Sequence, residues 1–144
     1  MDEELMTRLR RAVSRISRQL NDSASDEGLT PSEATILGVV ARSGPVSLPE
    51  LARGEGLNPT MLSRIVGKMD RAGLITRLRD PSDRRSAQVS VTEHGRKVEA
   101  RIRAGRAAAV ARTVQALSDE QQRELTQAVP ALEAFAEHLR QSKL

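Results

Sequence analysis

Apolar residues recur at helical spacing near both ends of the chain, which predicts a long amphipathic helix at each end. The apolar positions of the first helix are three or four residues apart: Leu5, Leu9, Val13, Ile16 and Leu20. Those of the last helix repeat in a similar way: Leu125, Val129, Leu132, Ala136 and Leu139. Pro130 lies inside this last stripe and predicts a kink there.

Capping residues predict where the helices after the first one begin. The stretches Thr30 to Glu33, Ser47 to Glu50 and Ser118 to Gln121 have the spacing of capping boxes, in which a hydroxyl and an amide or carboxylate side chain bond reciprocally to the backbone. Asn58-Pro59 supplies an N-cap followed by proline at the first helical position. The stretch from Asn21 to Gly28 breaks the helical pattern. The predicted helices therefore run over about 30–43, 47–55, 58–72, 93–116 and 118–139 after the first one.

Two apolar segments over 74–78 and 87–91 predict the strands of a β-hairpin, with Asp80-Pro81 in the connection. The two helices before it flank Gly56, and Ala52 and Leu62 fall where a helix-turn-helix needs a small residue and an inward apolar residue. A helix-turn-helix followed by a hairpin is a winged helix-turn-helix. The terminal helices carry long apolar stripes that a chain of this length cannot cover with a further layer, so these stripes should pack against each other and against a second copy. The predicted fold class is mainly α with a small β-hairpin wing: a winged helix-turn-helix plus a helical dimerisation domain.

Charge favours a polyanionic partner for the middle of the chain. Residues 46–112 hold 14 lysines and arginines against 7 acids, a net +7, whereas the remaining residues carry a net −3. Local positive charge suits duplex DNA, because neutralised phosphates release condensed counterions. An arginine-rich but merely solvated surface is the alternative that charge alone leaves open.

Composition excludes several classes of site. The chain has no cysteine, so disulfides, thiol nucleophiles and zinc–thiolate sites are ruled out and a cytoplasmic location is expected. Phe135 is the only aromatic residue, which argues against stacking on single-stranded nucleic acid. No secretory signal or membrane span is predicted. Ser90 and His94 have no orienting acid at a recognisable spacing, so no enzyme activity is expected.

Four short segments share an order and spacing with a known family. They are Asn58-Pro59-Thr60-Met61-Leu62-Ser63-Arg64, then Gly73-Leu74-Ile75, then Asp80-Pro81 with Asp83-Arg84-Arg85, and Val91-Thr92 with Gly95. In these segments the chain resembles the MarR family, the multiple antibiotic resistance regulators. The resemblance implies a homodimeric transcription regulator that binds an inverted-repeat operator in double-stranded DNA and acts as a repressor released by a small-molecule effector.

The resemblance also implies a division of the chain. Residues 1–28 and 93–144 would form the helical dimerisation region, and residues 29–92 the winged helix-turn-helix DNA-binding domain. No cofactor is expected. Phenolic effectors are known in the family, but a chain with so few aromatic residues offers little lining for them. His94 and His138 are expected on the surface, because each adjacent carboxylate points elsewhere on its helix.

Roles for individual residues follow from the family pattern. The helix that begins at Pro59 would enter the major groove, with base edges near four of its residues: Thr60, Met61, Ser63 and Arg64. Arg64 is the strongest candidate, since a guanidinium can pair bidentately with guanine. Lys68, one turn further, meets either phosphate or solvent. Gly67 departs from the polar residue usual at its position and loosens the helix.

The wing tip carries the second group of predicted DNA contacts. Arg85 would enter the minor groove, and Asp83, two residues earlier, would fix its guanidinium by a salt bridge. Arg84 would point to phosphate. The alternative from another class is a helical protein-interaction module whose winged domain no longer binds DNA specifically.

Overall fold

Seven helices and three short strands make up the part of the chain that the structure describes, residues 1–79 and 87–142 of a computed structural model. In chain order the elements are α1 (Glu3–Leu20), α2 (Asp22–Asp26), α3 (Pro31–Ser43), β1 (Val46–Ser47), α4 (Leu48–Glu55), α5 (Pro59–Arg71), β2 (Ile75–Arg79), β3 (Ala87–Val91), α6 (Glu93–Gln115) and α7 (Asp119–Gln141). The mainly helical architecture with a small antiparallel sheet confirms the predicted fold class.

The predicted helix starts are confirmed, but only one of the three capping boxes is complete. Ser118 accepts a hydrogen bond from the Gln121 backbone, and the Gln121 side chain bonds back to the Ser118 backbone. At α3 and α4 only the hydroxyl half is present, with Thr30 accepting from Glu33 N at 3.2 Å. The Glu33 side chain instead pairs with Lys68 of α5, because a charged tertiary partner competes successfully with the local backbone.

Two elements were missed by the sequence pattern. The predicted break after α1 contains the five-residue helix α2, whose Ala24 is completely buried. Strand β1 pairs with β3 in the register Val46↔Val89, so the sheet has three strands in the order β1-β3-β2. Elements of five and two residues are too short to show a hydrophobic period.

Strands β2 and β3 form the antiparallel hairpin that the sequence predicts. Their register runs from Ile75↔Val91 to Arg79↔Ala87, so the two strands pair along their whole length. Residues 80–86, which connect them, lie outside the described residues. The structure therefore supports the base of the wing, while the predictions for its tip remain sequence-based.

One hydrophobic core lies beneath the helix-turn-helix and the sheet. It draws on every element from α2 to α6, and its largest fully buried side chains are Ile36, Leu37, Val40, Leu51, Leu62, Val66, Met69, Ile75 and Val89. Val98 and Ile102 from the first half of α6 join the same core. The division of the chain at residues 92 and 93 stays a prediction.

Helix α6 leaves the sheet at a point where only glycine fits. A Cβ on Gly95 would overlap the carbonyl oxygen of Leu74. Thr92 caps α6 by accepting from Gly95 N at 2.9 Å, and its hydroxyl also bonds to the Leu74 carbonyl at 3.1 Å. Together these contacts fix the direction in which α6 starts.

Helices α1 and α7 contribute no buried residue. Their apolar stripes face solvent in the single chain; Ile16, for example, is 58% exposed and Leu139 is 49% exposed. Helix α7 includes Pro130 within its span, and the predicted kink stays a prediction. No helix within residues 1–79 and 87–142 combines the length and apolarity that a membrane span requires.

Candidate nucleic-acid interface

The turn between α4 and α5 has the geometry expected of a helix-turn-helix. Gly56 ends α4 in the left-handed conformation, with φ of 62°, which a residue with a side chain adopts at a cost. The next amide, Leu57 N, bonds to the Ala52 carbonyl at 2.9 Å. Ala52 itself is buried, so the predicted small residue lies in the packed core.

The start of α5 is fixed by its cap and its packing. Asn58 Oδ1 accepts from Thr60 N at 2.8 Å, and Pro59 occupies the first turn. The inward face is buried at Leu62, Val66 and Met69. The opposite face is therefore held in one orientation by the core.

The predicted DNA-binding residues at the start of α5, which are Pro59 and the four residues expected near base edges, all lie on its exposed side. The exposed residues at the start of the helix are Pro59, Thr60, Met61, Ser63 and Arg64. The structure thus brings these five candidates together at one helix end. Their contacts with DNA stay predictions.

Lys68 has a protein partner that neither sequence alternative anticipated. Its ammonium nitrogen lies 2.7 Å from Glu33 Oε1, and the Glu33 side chain is only 5% exposed while that of Lys68 is 59% exposed. Glu33 is the one buried charged residue among those described. Lys68 therefore ties the exposed face of α5 to α3, and its predicted contact with phosphate stays untested.

Arg77 of β2 is a residue at this surface that the sequence interpretation missed. Its Nη2 donates a hydrogen bond to the Ser63 carbonyl oxygen at 3.3 Å, joining the wing to α5. The guanidinium lies over Gly67, where an added Cβ would be 3.5 Å from Arg77 Nη2 and from Arg71 Nη1. The basic residues in β2 were visible in the sequence, but their position over Gly67 depends on tertiary structure.

Asp83, Arg84 and Arg85, the predicted wing-tip contacts, lie outside the described residues. The hairpin strands on either side end in the pair Arg79↔Ala87. The predicted salt bridge between Asp83 and Arg85 and the minor-groove role of Arg85 remain predictions.

A cleft of about 350 Å³ lies at the surface between the winged lobe and the first half of α6. Two ion pairs reach it, Lys68–Glu33 and Arg101–Glu27, and the second is bidentate with N···O distances of 2.7 and 3.0 Å. Hydrogen bonding to the Arg101 guanidinium lowers the pKa of Glu27 below its ordinary value. The remaining lining residues include Leu29, Met69, Leu74, His94 and Val98.

Both histidines are exposed, as expected from the sequence. His138 Nδ1 lies 2.8 Å from the Ala134 carbonyl oxygen within α7. Among residues 1–79 and 87–142, no group of three histidine or acidic side chains is arranged to hold a metal ion.

Comparison with known proteins identifies relatives for both sequence and fold. The model of the MarR family matches residues 27–86, from the end of α2 to the end of the hairpin connection. The HTH-type transcriptional repressor Rv2887 of Mycobacterium tuberculosis is 32% identical over 106 residues, which cover 74% of this chain and 76% of that protein.

Solved structures give the same result. AbsC, a MarR family transcriptional regulator from Streptomyces coelicolor, superposes with a TM-score of 0.74 at 30% identity, covering 96% of this chain and 94% of that one. The Rv2887 structure in complex with p-aminosalicylic acid gives a TM-score of 0.67 at 29% identity, with 90% and 98% covered. Sequence and fold therefore agree on one set of relatives.

Proposed function

Because this chain belongs to the MarR family of transcription regulators, we propose that it binds a specific duplex operator through the exposed face of α5. As a member of that family it is a DNA-binding regulator and not an enzyme. The main support for this proposal is that the exposed residues between Pro59 and Arg64 lie together at the capped start of α5. The opposite face of α5 is buried in the core, which fixes the orientation of these residues.

Base readout by this surface depends chiefly on Arg64. An exposed guanidinium one turn into α5 reaches guanine O6 and N7 in the major groove, and such a bidentate pair is worth about 1–3 kcal/mol of discrimination. Thr60 and Ser63 supply hydroxyl groups beside it, and Met61 supplies an apolar surface for a thymine methyl group. Lys68 adds positive charge beyond them while it remains paired with Glu33.

The active form in this proposal is a homodimer. Helices α1 and α7 bury none of their own residues, so their apolar stripes need a partner surface. A groove of about 710 Å³ between α1, α2, α6 and α7 has a mostly apolar surface, to which Ile16, Val114 and Leu125 contribute, although charged residues also line it. A second copy that fills it would place two α5 helices on one inverted repeat, with half-sites about 10 base pairs apart.

Repression in this proposal is relieved by a small molecule in the cleft between the winged lobe and α6. The cleft contains Lys68 of the DNA-binding helix, so a ligand that alters the Lys68–Glu33 pair would alter the position of α5. Rv2887 has been solved with p-aminosalicylic acid, an aromatic acid. Lys68 and Arg101 both reach the cleft, each paired with a carboxylate, so an acidic ligand would act by competing with Glu33 or Glu27 for its cation.

The operator proposal is tested by selecting bound duplexes from a random pool at moderate salt, with Arg64→Ala and Arg42→Ala in parallel. We expect an enriched palindrome for the parent and for Arg42→Ala, which changes an exposed arginine on α3. Arg64→Ala should relax the preference at one position of each half-site. No enrichment for any of the three proteins would contradict specific binding and favour the protein-interaction module.

The effector proposal is tested by titrating p-aminosalicylate into the complex of the protein with its selected operator. Release of DNA by the parent, with a higher half-maximal concentration for Arg101→Gln, is the expected result. Arg123→Gln, which changes an exposed arginine on α7 far along the chain from the cleft residues, serves as the control. Release at the same concentration from all three proteins would show that the cleft is not the site.

A further inference from the structure

A glycine on the exposed side of α5 brings two guanidinium groups together. A Cβ built on Gly67 would lie 3.5 Å from Arg71 Nη1 and 3.5 Å from Arg77 Nη2, so these nitrogens are at most 7.0 Å apart. Arg71 is one turn further along α5, whereas Arg77 comes from β2. Like charges that converge in this way repel each other, and an anion between them removes the repulsion.

The backbone of α5 holds Arg77 in this position. Arg77 Nη2 donates to the Ser63 carbonyl oxygen at 3.3 Å. Ser63, Gly67 and Arg71 are four residues apart and therefore follow one side of the helix. Within residues 1–79 and 87–142, no carboxylate lies within salt-bridge distance of either guanidinium. Both side chains are exposed, so the pair is accessible to an anion from outside the chain.

We propose that Arg71 and Arg77 jointly bind one phosphate of the duplex backbone, beside the bases that α5 contacts. This inference rests on the proposed function, because it requires α5 to lie against DNA. A charge-assisted N–H···O bond is about 2.8 Å long, so one oxygen that bridges two nitrogens spans about 5.6 Å. Because the two nitrogens are at most 7.0 Å apart, one phosphate reaches both, through a single shared oxygen up to that span and through two of its oxygens beyond it.

The two arginines give the interface a function distinct from base readout. Phosphate contacts fix the register and orientation of a protein on DNA without reading sequence. Because one arginine belongs to α5 and the other to β2, a shared phosphate fixes the helix and the wing relative to each other. The site depends on Gly67, because a long side chain at this position would fill the space between the two guanidinium groups.

The dependence of operator affinity on salt tests the shared phosphate. The slope of log K against log salt is negative, and its magnitude, which is the slope meant below, falls by about 0.9 for each phosphate of B-DNA that the protein no longer neutralises. We expect Arg71→Ala/Arg77→Ala to lower the slope by about 0.9 for each bound protomer, with an unchanged order of preferred sequences. Two arginines on separate phosphates would lower it by about 1.8 per protomer, and that result would overturn the proposal.

Gly67 variants test the same site without removing charge. Gly67→Ala places its Cβ at ordinary contact distance from both guanidinium groups and should keep the parent slope. Gly67→Gln should displace them and lower the slope as the double variant does; a parent-like slope would overturn the role of Gly67. Circular dichroism and thermal unfolding confirm that each variant is folded.

Arg42→Gln is the matched control. Arg42 also lies over a glycine one turn earlier in its helix, since a Cβ built on Gly38 of α3 would be 3.1 Å from Arg42 Nη1. Its slope should equal that of the parent. A parent with no operator preference would refute the proposed function itself. A parent that binds its operator, combined with a double variant of unchanged slope, would refute the shared phosphate alone.

Discussion

The ammonium nitrogen of Lys68 on α5 lies 2.7 Å from a carboxylate oxygen of Glu33 on α3, and Glu33 is buried. A buried carboxylate is costly without a partner, so this pair constrains how α5 sits on the lobe beneath it. The same two residues line the cleft beside α6. The orientation of α5 is therefore connected through one ion pair to the proposed effector site.

Removing Lys68 should destabilise the protein more than its exposed position suggests. In Lys68→Met the Glu33 carboxylate loses its charged partner while it stays buried, and the expected loss is about 1–3 kcal/mol in the free energy of unfolding. Urea unfolding at neutral pH measures this loss. The double variant Glu33→Gln/Lys68→Met should recover part of it, because no buried charge remains. Equal stability of Lys68→Met and the parent would contradict the structural role of the pair.

Two glycine-to-alanine changes should act with opposite signs. Gly95→Ala should destabilise by about 1–3 kcal/mol, because its Cβ would overlap the Leu74 carbonyl oxygen and force α6 away from the sheet. Gly54→Ala, where the added Cβ meets open space within α4, should stabilise by about 0.5–1 kcal/mol. Thermal unfolding of both variants measures the difference. A stable Gly95→Ala would mean that α6 does not approach Leu74 so closely.

Acid should weaken the link between α2 and α6. Hydrogen bonding to Arg101 holds the pKa of Glu27 below its ordinary value of 4.5. Because the pKa is lower in the folded state, the contribution of this carboxylate to stability is complete above about pH 4.5 and is lost as the pH falls through the folded-state value. The stability difference between the parent and Glu27→Gln should therefore shrink below pH 4.5, as measured by urea unfolding across an acidic pH series.

An NMR titration separates this effect from general acid unfolding. The Glu27 carboxyl carbon should titrate below pH 4.5 in the parent and close to 4.5 in Arg101→Gln, because the main cause of the shift is then absent. Arg103→Gln, which changes a neighbouring arginine that pairs with Glu99, is the control. A Glu27 midpoint that is the same in all three proteins would contradict the assigned cause.

Features set by adjacent residues were predictable from the sequence. The cap at Asn58, the glycine turn at Gly56 and the exposed side of α5 follow from spacing within one or two turns of chain. Those signals predicted helix α5 and the exposed residues at its start.

Features set by tertiary contacts were not predictable in this way. Glu33 has the spacing of a capping box, yet its carboxylate bonds to Lys68, 35 residues away. Arg77 reaches Ser63 across 14 residues from a strand that the sequence predicted only as a short apolar segment. Local sequence patterns indicate which side of a helix faces outward, but they do not indicate which side chain from a distant part of the chain lies over that side. For the same reason the cleft, built from residues 27–29 after α2 and from α3, α5 and α6, had no sequence signal.

Arg85→Ala should weaken operator binding by about 1–3 kcal/mol, because the wing loses the guanidinium that is predicted to enter the minor groove. Asp83→Ala should cost less, since Arg85 remains and only its ordering before binding is lost, which is worth up to about 2 kcal/mol of side-chain entropy. Fluorescence anisotropy with the selected operator measures both affinities.

A double-mutant cycle adds the decisive comparison: in an Arg85→Ala background, Asp83→Ala should have no further weakening effect, because the residue it positions is gone. Equal weakening by Asp83→Ala in both backgrounds would show that the two residues act separately.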